Sequence, residues 1–443
     1  MKEALPQRRD VSCGQRLLAE IKGTATMSFT ALMSAPAQPS IGTDAVDNVL
    51  KAIREYLRMD VSFVAEFRER DRIFRHVNAR DRTPIQAGDS CPLEQGYCQR
   101  VVDGRLPQLI PDTRHVPAAM ALPETQAIPI GAHVSVPVRL SDGRLFGTLC
   151  CFAFAADTSL GERDLDMMHA FASLLSRQLD HDLAEKEALE AGKVRIASAL
   201  EARQPSIVFQ PIFDIASRRI AGLECLSRFK TEPARTPDLW FTEAADVGMA
   251  VELELAAVRA ALAALAETPP DVYLAVNCSP GTLLDARFRS YLHSVELKRV
   301  VLEVTEHEHI PDYPALLSAL TPLRAMGLRV SIDDAGAGYA SLRHVLNIQP
   351  EKIKLDISLT RNVDSDPKRR ALAAALIAFG RETGAHIVAE GVETAAELDV
   401  LVQLGVHGAQ GYFLARPMAI EDALRSPFPS SAPDQSVARL AAR

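Results

Sequence analysis

Apolar residues recur along this chain at two spacings, and the change from one to the other marks out the elements. Between about residues 204 and 420, eight short apolar runs appear: SIVFQPIF, IAGLECLSRF, VYLAVN, RVVLEVT, LRVSIDD, KIKLD, HIVAE and GAQGYF. Most are separated by helical stretches. Apolar strands alternating with helices predict a parallel sheet, and eight such units predict a closed, TIM-like (β/α)8 barrel over residues 201–425. Upstream, residues 43–160 read as an α+β domain. TDAVDNVLKAIREYL is an amphipathic helix with a Thr or Asp cap. VSFVAEFRE and RIFRHVN predict a hairpin, LEQGYCQRVVDG a short helix stopped by Gly104, and HVSVPVRL, SDGR and LFGTLCCFAFA a second, more apolar hairpin. A central antiparallel sheet with helices on its faces is the expected arrangement.

Residues 161–200 join these two parts as a helix. Leu165, Met168, Ala172, Leu175 and Leu179 recur in steps of three and four, the seam of a coiled coil. A dimeric connecting helix, and hence a homodimer, is expected; the alternative is a helix packed on the preceding sheet. Residues 1–42, rich in Ala, Pro, Ser and Thr, read as a flexible lead-in with Met27 as a second candidate start, and residues 426–443 as a flexible tail.

Composition narrows the class. A chain of 443 residues suits two or three folding units, and 47% hydrophobic with 24% charged residues is the balance of a soluble globular protein. No apolar run approaches the roughly 18 to 20 residues that span a bilayer. MKEALPQRRDVSCGQ has an arginine pair without an apolar stretch behind it, so no export signal is read there. A cytoplasmic protein without a membrane partner is expected. The seven cysteines are scattered and form no CxxC pair, which argues against a zinc site or a disulfide framework. Cys150 and Cys151 fall in an apolar strand and read as core. A net charge of −8 argues against DNA as a partner, while leaving room for a small phosphate ligand.

The candidate chemistry lies at the ends of the barrel strands, where such barrels place their active sites. Glu224 lies in the second run, Asn277 closes the third, Glu303 falls near the end of the fourth, and Asp333 and Asp334 close the fifth. Lys354 lies in the sixth, Glu390 ends the seventh with Glu393 in the turn beyond, and Gln410 lies in the eighth. One ionisable group on a barrel strand would read as a paired structural charge; carboxylates and carboxamides on most successive strands do not. Five acids in one cleft resist joint ionisation, and Lys354 alone does not balance them. Two divalent cations nearly do, and oxygen ligands favour Mg2+ or Mn2+ over zinc. Paired ions of this kind serve phosphodiester cleavage.

The residues FQPIFDIASRRIAGLECLSRF, LAVNCSP, LEVTE, SIDDAGAGYASL, IKLD, IVAEGVET and AQGYFLARPM resemble the EAL-domain cyclic di-GMP phosphodiesterases along nearly the whole second half. The resemblance implies hydrolysis of cyclic di-GMP to linear pGpG. It implies one metal on Glu224, Asn277, Glu303 and Asp333, and a second on Asp333, Asp334 and Glu390. It gives Lys354 the role of polarising or deprotonating the attacking water, and Glu393 and Gln410 that of orienting water and substrate. Arg228 becomes a phosphate contact, and Glu306 a support for the loop that follows the Asp pair. Two departures stand out. Cys225 replaces the Ala of the name-giving triplet, and Ala335 and Ala337 replace Phe and Thr in the loop DDAGAG; neither removes a metal ligand. A catalytically silent cyclic di-GMP receptor and an enzyme for another phosphodiester are the alternatives.

GYCQRVVDGRLPQLIPDT and IGAHVSVPVRLSDGRLFGTLCCF resemble a GAF domain, which implies a regulatory unit with an unidentified small-molecule ligand. Gln99 beside Cys98, where bilin-binding domains commonly carry His, argues against a photoreceptor. His76, His115 and His133 read as ordinary surface or loop histidines rather than haem ligands.

Overall fold

The computed structural model describes residues 43–81, 83–304, 310, 312–335 and 339–429. The lead-in and most of the tail fall outside these residues. The chain divides into two compact units, Met1–Ala188 and Leu189–Arg443.

In the first unit, the helix Thr43–Tyr56 buries Val46, Leu50 and Ile53 on one stripe, the spacing that puts side chains on one helical face. Six strands follow: β1 (Val61–Arg68), β2 (Asp71–Ala79), β3 (Ser90–Pro92), β4 (Leu109–Ile110), β5 (Ala132–Arg139) and β6 (Leu145–Ala153). They form one antiparallel sheet in the order β3-β2-β1-β6-β5-β4. Both predicted hairpins are present, β1–β2 and β5–β6. Side chains alternate between two cores, so that Cys151 packs with Leu50 and Val134 while its neighbour Cys150 packs with Phe63 and Tyr97 on the other face.

The helix expected at 161–200 spans Glu162–Glu201. Met168, Ala172, Leu175 and Leu179 are buried in the same cluster as Val134, Val136 and Leu149 of the sheet. The predicted coiled-coil seam is therefore corrected: it faces the unit's own sheet. Steps of three and four arise on any helix with one apolar stripe, whatever covers that stripe. The same helix ends in the second unit, where Ile196 and Ala199 pack on Trp240, Ala244 and Leu253. A second correction concerns His133. It lies on β5, 1% exposed and stacked on Tyr97 at 4.2 Å. It is no surface residue, because its strand is covered on both faces. His115 is exposed, and His76 meets Asp47 at 3.1 Å.

The second unit is a closed barrel of β7 (Ser206–Asp214), β8 (Ile220–Arg228), β9 (Tyr273–Cys278), β10 (Val300–Val304), β11 (Arg329–Ala335), β12 (Lys352–Leu355), β13 (His386–Ala389) and β14 (Gly408–Ala409). The eight predicted runs carry these eight strands. The sheet is not wholly parallel: β7 runs antiparallel to both β8 and β14. Only residues 215–219 separate β7 from β8, and a link that short makes a hairpin, whereas a parallel pair needs a long crossover. Outward side chains such as Leu223, Leu274, Leu302 and Ile332 bury against the surrounding helices. Inward, Ile212, Tyr273, Ala275, Val301 and Val388 form an apolar floor. Two residues further toward the C-terminal strand ends, the same inward positions carry Asn277, Glu303 and Glu390, which starts the site. No helix among the described residues is long and apolar enough to cross a membrane.

Candidate active site

Lys354 is the hub. Its Nζ lies 3.3 Å from Glu224, 3.1 Å from Glu303, 3.2 Å from Asp333 and 2.6 Å from Glu390, and its side chain is 2% exposed. Gln410, directly after β14, donates from Nε2 to Glu224 at 2.7 Å and to Glu390 at 3.0 Å. Asn277 stands beside Glu303 in register on the neighbouring strand. Glu224, Asn277, Glu303, Asp333, Lys354, Glu390 and Gln410, predicted from seven different strand runs, are thus gathered at one end of one barrel.

The Asp pair needs a local departure from the strand. Adjacent residues of a regular strand point to opposite faces. Here the pairing of β11 with β12 shifts between Ile332 and Ala335, and Asp334 adopts φ 54°. That left-handed conformation costs a non-glycine residue about 1 kcal/mol or more. It turns Asp334 to the same mouth as Asp333, so that Asp333, Asp334 and Glu390 present oxygens within 4.8 Å of one another; Glu224, Glu303 and Asp333 form a second such group.

Electrostatics sharpen the picture. Burial raises the Glu303 carboxyl to about 8, with Glu224 and Asp333 adding to the rise and Lys354 opposing it. Burial likewise raises Glu390 against Lys354. Burial works against the Lys354 ammonium, but Glu224, Glu303, Glu390 and Asp333 outweigh it and hold the group well above the usual lysine range. One cation thus serves four carboxylates. Glu303 Oε2 and Gln410 Oε1 are buried with no hydrogen-bond partner. Unpartnered buried acceptors among oxygen-only donors fit a hard divalent cation, which takes carboxylate and carboxamide oxygens.

Other predicted residues lie further out. Glu393 pairs with Arg361 at the rim and does not enter the carboxylate cluster. Arg228 ends β8 on the inward side, four residues beyond Glu224, and donates to the Ser227 carbonyl at 2.8 Å. Cys225 points away from Glu224 into the buried outer core, where burial raises its thiol well above its usual range. Glu306 and Ala337 lie outside the described residues.

Two residues went unnoticed in the sequence. Arg361 carries no local signal. Glu397 does, because Thr394 and Glu397 spell a capping box, and both its bonds are present. The buried Glu397 carboxylate accepts from the backbone N–H of Asn362 at 2.8 Å, Glu393 at 2.9 Å and Thr394 at 3.0 Å. It clamps the turn that follows Glu390 to the loop carrying Arg361. Glu397→Ala removes the charged acceptor of three backbone N–H groups and is expected to destabilise the barrel by about 2 to 3 kcal/mol, a fall of roughly 4 to 12 °C for a unit of this size. Thermal melting checks it, and Glu397→Gln, which keeps acceptor oxygen, should restore part of the loss.

Comparison with known proteins bears on the family and the fold. Residues 193–417 match the family model described as EAL domain. The chain belongs to the EAL family. Residues 43–179 of this EAL protein match the GAF domain. The bifunctional diguanylate cyclase/cyclic di-GMP phosphodiesterase MucR of Pseudomonas aeruginosa is 33% identical over 244 residues, 52% of this chain and 36% of that protein. The cyclic di-GMP phosphodiesterase PA2567 of the same organism is 32% identical over 238 residues, 49% of this chain and 40% of that protein. The chain thus spans less than half the length of these curated relatives. The EAL enzyme Bd1971, solved in a cAMP and cyclic-di-GMP bound form, has a TM-score of 0.51 at 17% identity and covers 83% of this chain and 93% of its own; that likeness carries the fold alone.

Proposed function

We propose that the EAL unit hydrolyses cyclic di-GMP to linear pGpG with two divalent cations, Mg2+ or Mn2+. The observation that carries the proposal is the ring of Glu224, Glu303, Asp333 and Glu390 around one buried lysine at the barrel mouth. The names of MucR and PA2567 support cyclic di-GMP as substrate.

In this proposal Glu224, Asn277, Glu303 and Asp333 hold one cation, and Asp333, Asp334 and Glu390 the other. Bound there, the ions neutralise the carboxylates and polarise the scissile phosphate as Lewis acids. The chain's own residues supply the rest. Lys354 in its ammonium form donates but does not accept, which favours orienting and polarising the attacking water over taking its proton. Gln410, fixed through Nε2 by Glu224 and Glu390, turns its unpartnered carbonyl oxygen to water or substrate. Arg228 meets a substrate phosphate, and Glu393, steadied by Arg361, orients the substrate at the rim. Water adds to one phosphorus and a P–O3′ bond breaks, leaving a 5′-phosphate on the product.

The same proposal makes residues 43–160 a regulatory GAF domain answering to a small molecule, 161–200 the connecting helix and 201–425 the barrel of a cytoplasmic protein. Incubating purified protein with cyclic di-GMP and Mg2+ or Mn2+ tests the activity by chromatography. pGpG is expected, lost on chelation and restored by either ion. No pGpG at any metal concentration, from protein that melts cooperatively, overturns the proposal.

A further inference from the structure

The GAF unit holds a group of buried, reactive side chains that the phosphodiesterase chemistry does not use. Cys98 lies on the short helix Tyr97–Val102, and Cys150 in the middle of β6. Both are wholly buried, and their sulfur atoms are 3.6 Å apart. Arg72, 1% exposed, donates from Nη1 to Cys98 Sγ at 2.8 Å and pairs through Nη2 with Glu124 at 2.6 Å. Cys150 Sγ lies 3.1 Å from Ser135 Oγ and 3.2 Å from Thr148 Oγ1. Arg72, Glu124 and Cys91 also line a cavity of about 140 Å³, roomy enough for several water-sized molecules.

We propose that Cys98 and Cys150 are a peroxide-sensitive dithiol, in which a hydroperoxide oxidises Cys98 and Cys150 then closes a disulfide with it. Two buried thiols in contact would ordinarily be inert core. Cys151 fits that description: it faces Met168 at 3.9 Å, and burial raises its thiol. Cys98 differs because a guanidinium and a second thiol both point at its sulfur. Burial works against its ionisation, but the Cys150 hydrogen bond and the Arg72 charge bring it down to about 6. Cys150 goes the other way, raised by burial and by Cys98. The asymmetry assigns the roles. Cys98 as thiolate attacks a peroxide oxygen, the O–O bond breaks, and hydroxide leaves and takes up a proton as water. Cys98 is thereby oxidised to a sulfenic acid. Cys150 then loses its proton and attacks the Cys98 sulfur, and the departing hydroxide leaves with that proton as a second water. Two thiols and one hydrogen peroxide yield one disulfide and two waters.

The test uses the full chain. Protein is exposed to stoichiometric hydrogen peroxide, alkylated, and digested without reduction. Expected are a cross-linked Cys98–Cys150 peptide, loss of two of the seven thiols, reversal by dithiothreitol, and an oxidation rate that rises with pH through about 6 and then levels. In Cys150→Ser a cyclic dione should trap a Cys98 sulfenic acid instead. Recovery of both residues alkylated after the peroxide is spent overturns the proposal. So does a disulfide from Cys98 to Cys91, or peroxide consumption by Cys98→Ser at the wild-type rate.

Discussion

Asp333→Asn is expected to lower turnover of cyclic di-GMP by about 10³-fold or more, the loss of roughly 4 kcal/mol of transition-state stabilisation, while raising the melting temperature of the chelated protein. Asp333 is common to both groups of acidic oxygens, so its loss weakens both proposed ion positions at once. The gain in stability has a different origin. Glu224, Glu303, Asp333 and Glu390 share the single charge of Lys354, and removing one negative charge relieves repulsion that no other group balances. An asparagine keeps the shape and an oxygen for the Asp334 N–H, now bonded to Asp333 at 3.1 Å. A rise of a few degrees in chelator, about 1 to 2 kcal/mol for a unit of this size, is the expected signature of a site strained for function. Saturating Mn2+ should stabilise the wild type more than the variant. Wild-type turnover by the folded variant, or a lower melting point in chelator, would count against the whole charge argument.

Much of this site was legible in the sequence because barrel strands have a simple grammar. An apolar run that ends in Asn277, Glu303 or Glu390 places a polar atom where an inward side chain meets the mouth, whatever the details of packing. Chain order alone was enough there. Asp334 was a different matter. Its recruitment depends on a register shift and a left-handed backbone at that residue, and nothing in the letters SIDD distinguishes this from a strand that sends its second Asp outward. The antiparallel β7 was readable in principle from its five-residue link to β8. The eightfold repeat of strands overrode that cue. The seam on the long helix misled because periodicity reports that a stripe is covered and not what covers it; Val134 and Leu149 were the cover. Arg361 and Arg72 were invisible for a shared reason. Each meets partners far away in sequence, Glu393 in one case and Cys98 and Glu124 in the other, and a lone arginine carries no pattern.

Lys354→Met should separate the two tasks of the lysine. In chelator the variant leaves four carboxylates facing one another at a buried site with their cation gone. Breaking a buried ion pair by removing one partner typically costs about 3 to 5 kcal/mol. Here the loss is softened at neutral pH because burial already favours the protonated form of Glu303, pushed up to about 8, and raises Glu390 in the same direction. The deficit in chelator should therefore be largest above about pH 8, where Glu303 is ionised, and should shrink as pH falls through that value. Divalent cations supply the missing charge, so Mg2+ or Mn2+ should return most of the stability. They should not return the activity. A methionine neither donates to water nor bears charge, and turnover is expected to stay down by about 10²- to 10³-fold in saturating metal, with nucleotide binding largely kept. Melting curves with and without metal, beside single-turnover rates, distinguish the cases. A variant that metal restores in both stability and rate would show Lys354 to be only a stand-in for the ions, and the water-polarising role would then have to pass to another residue at the mouth.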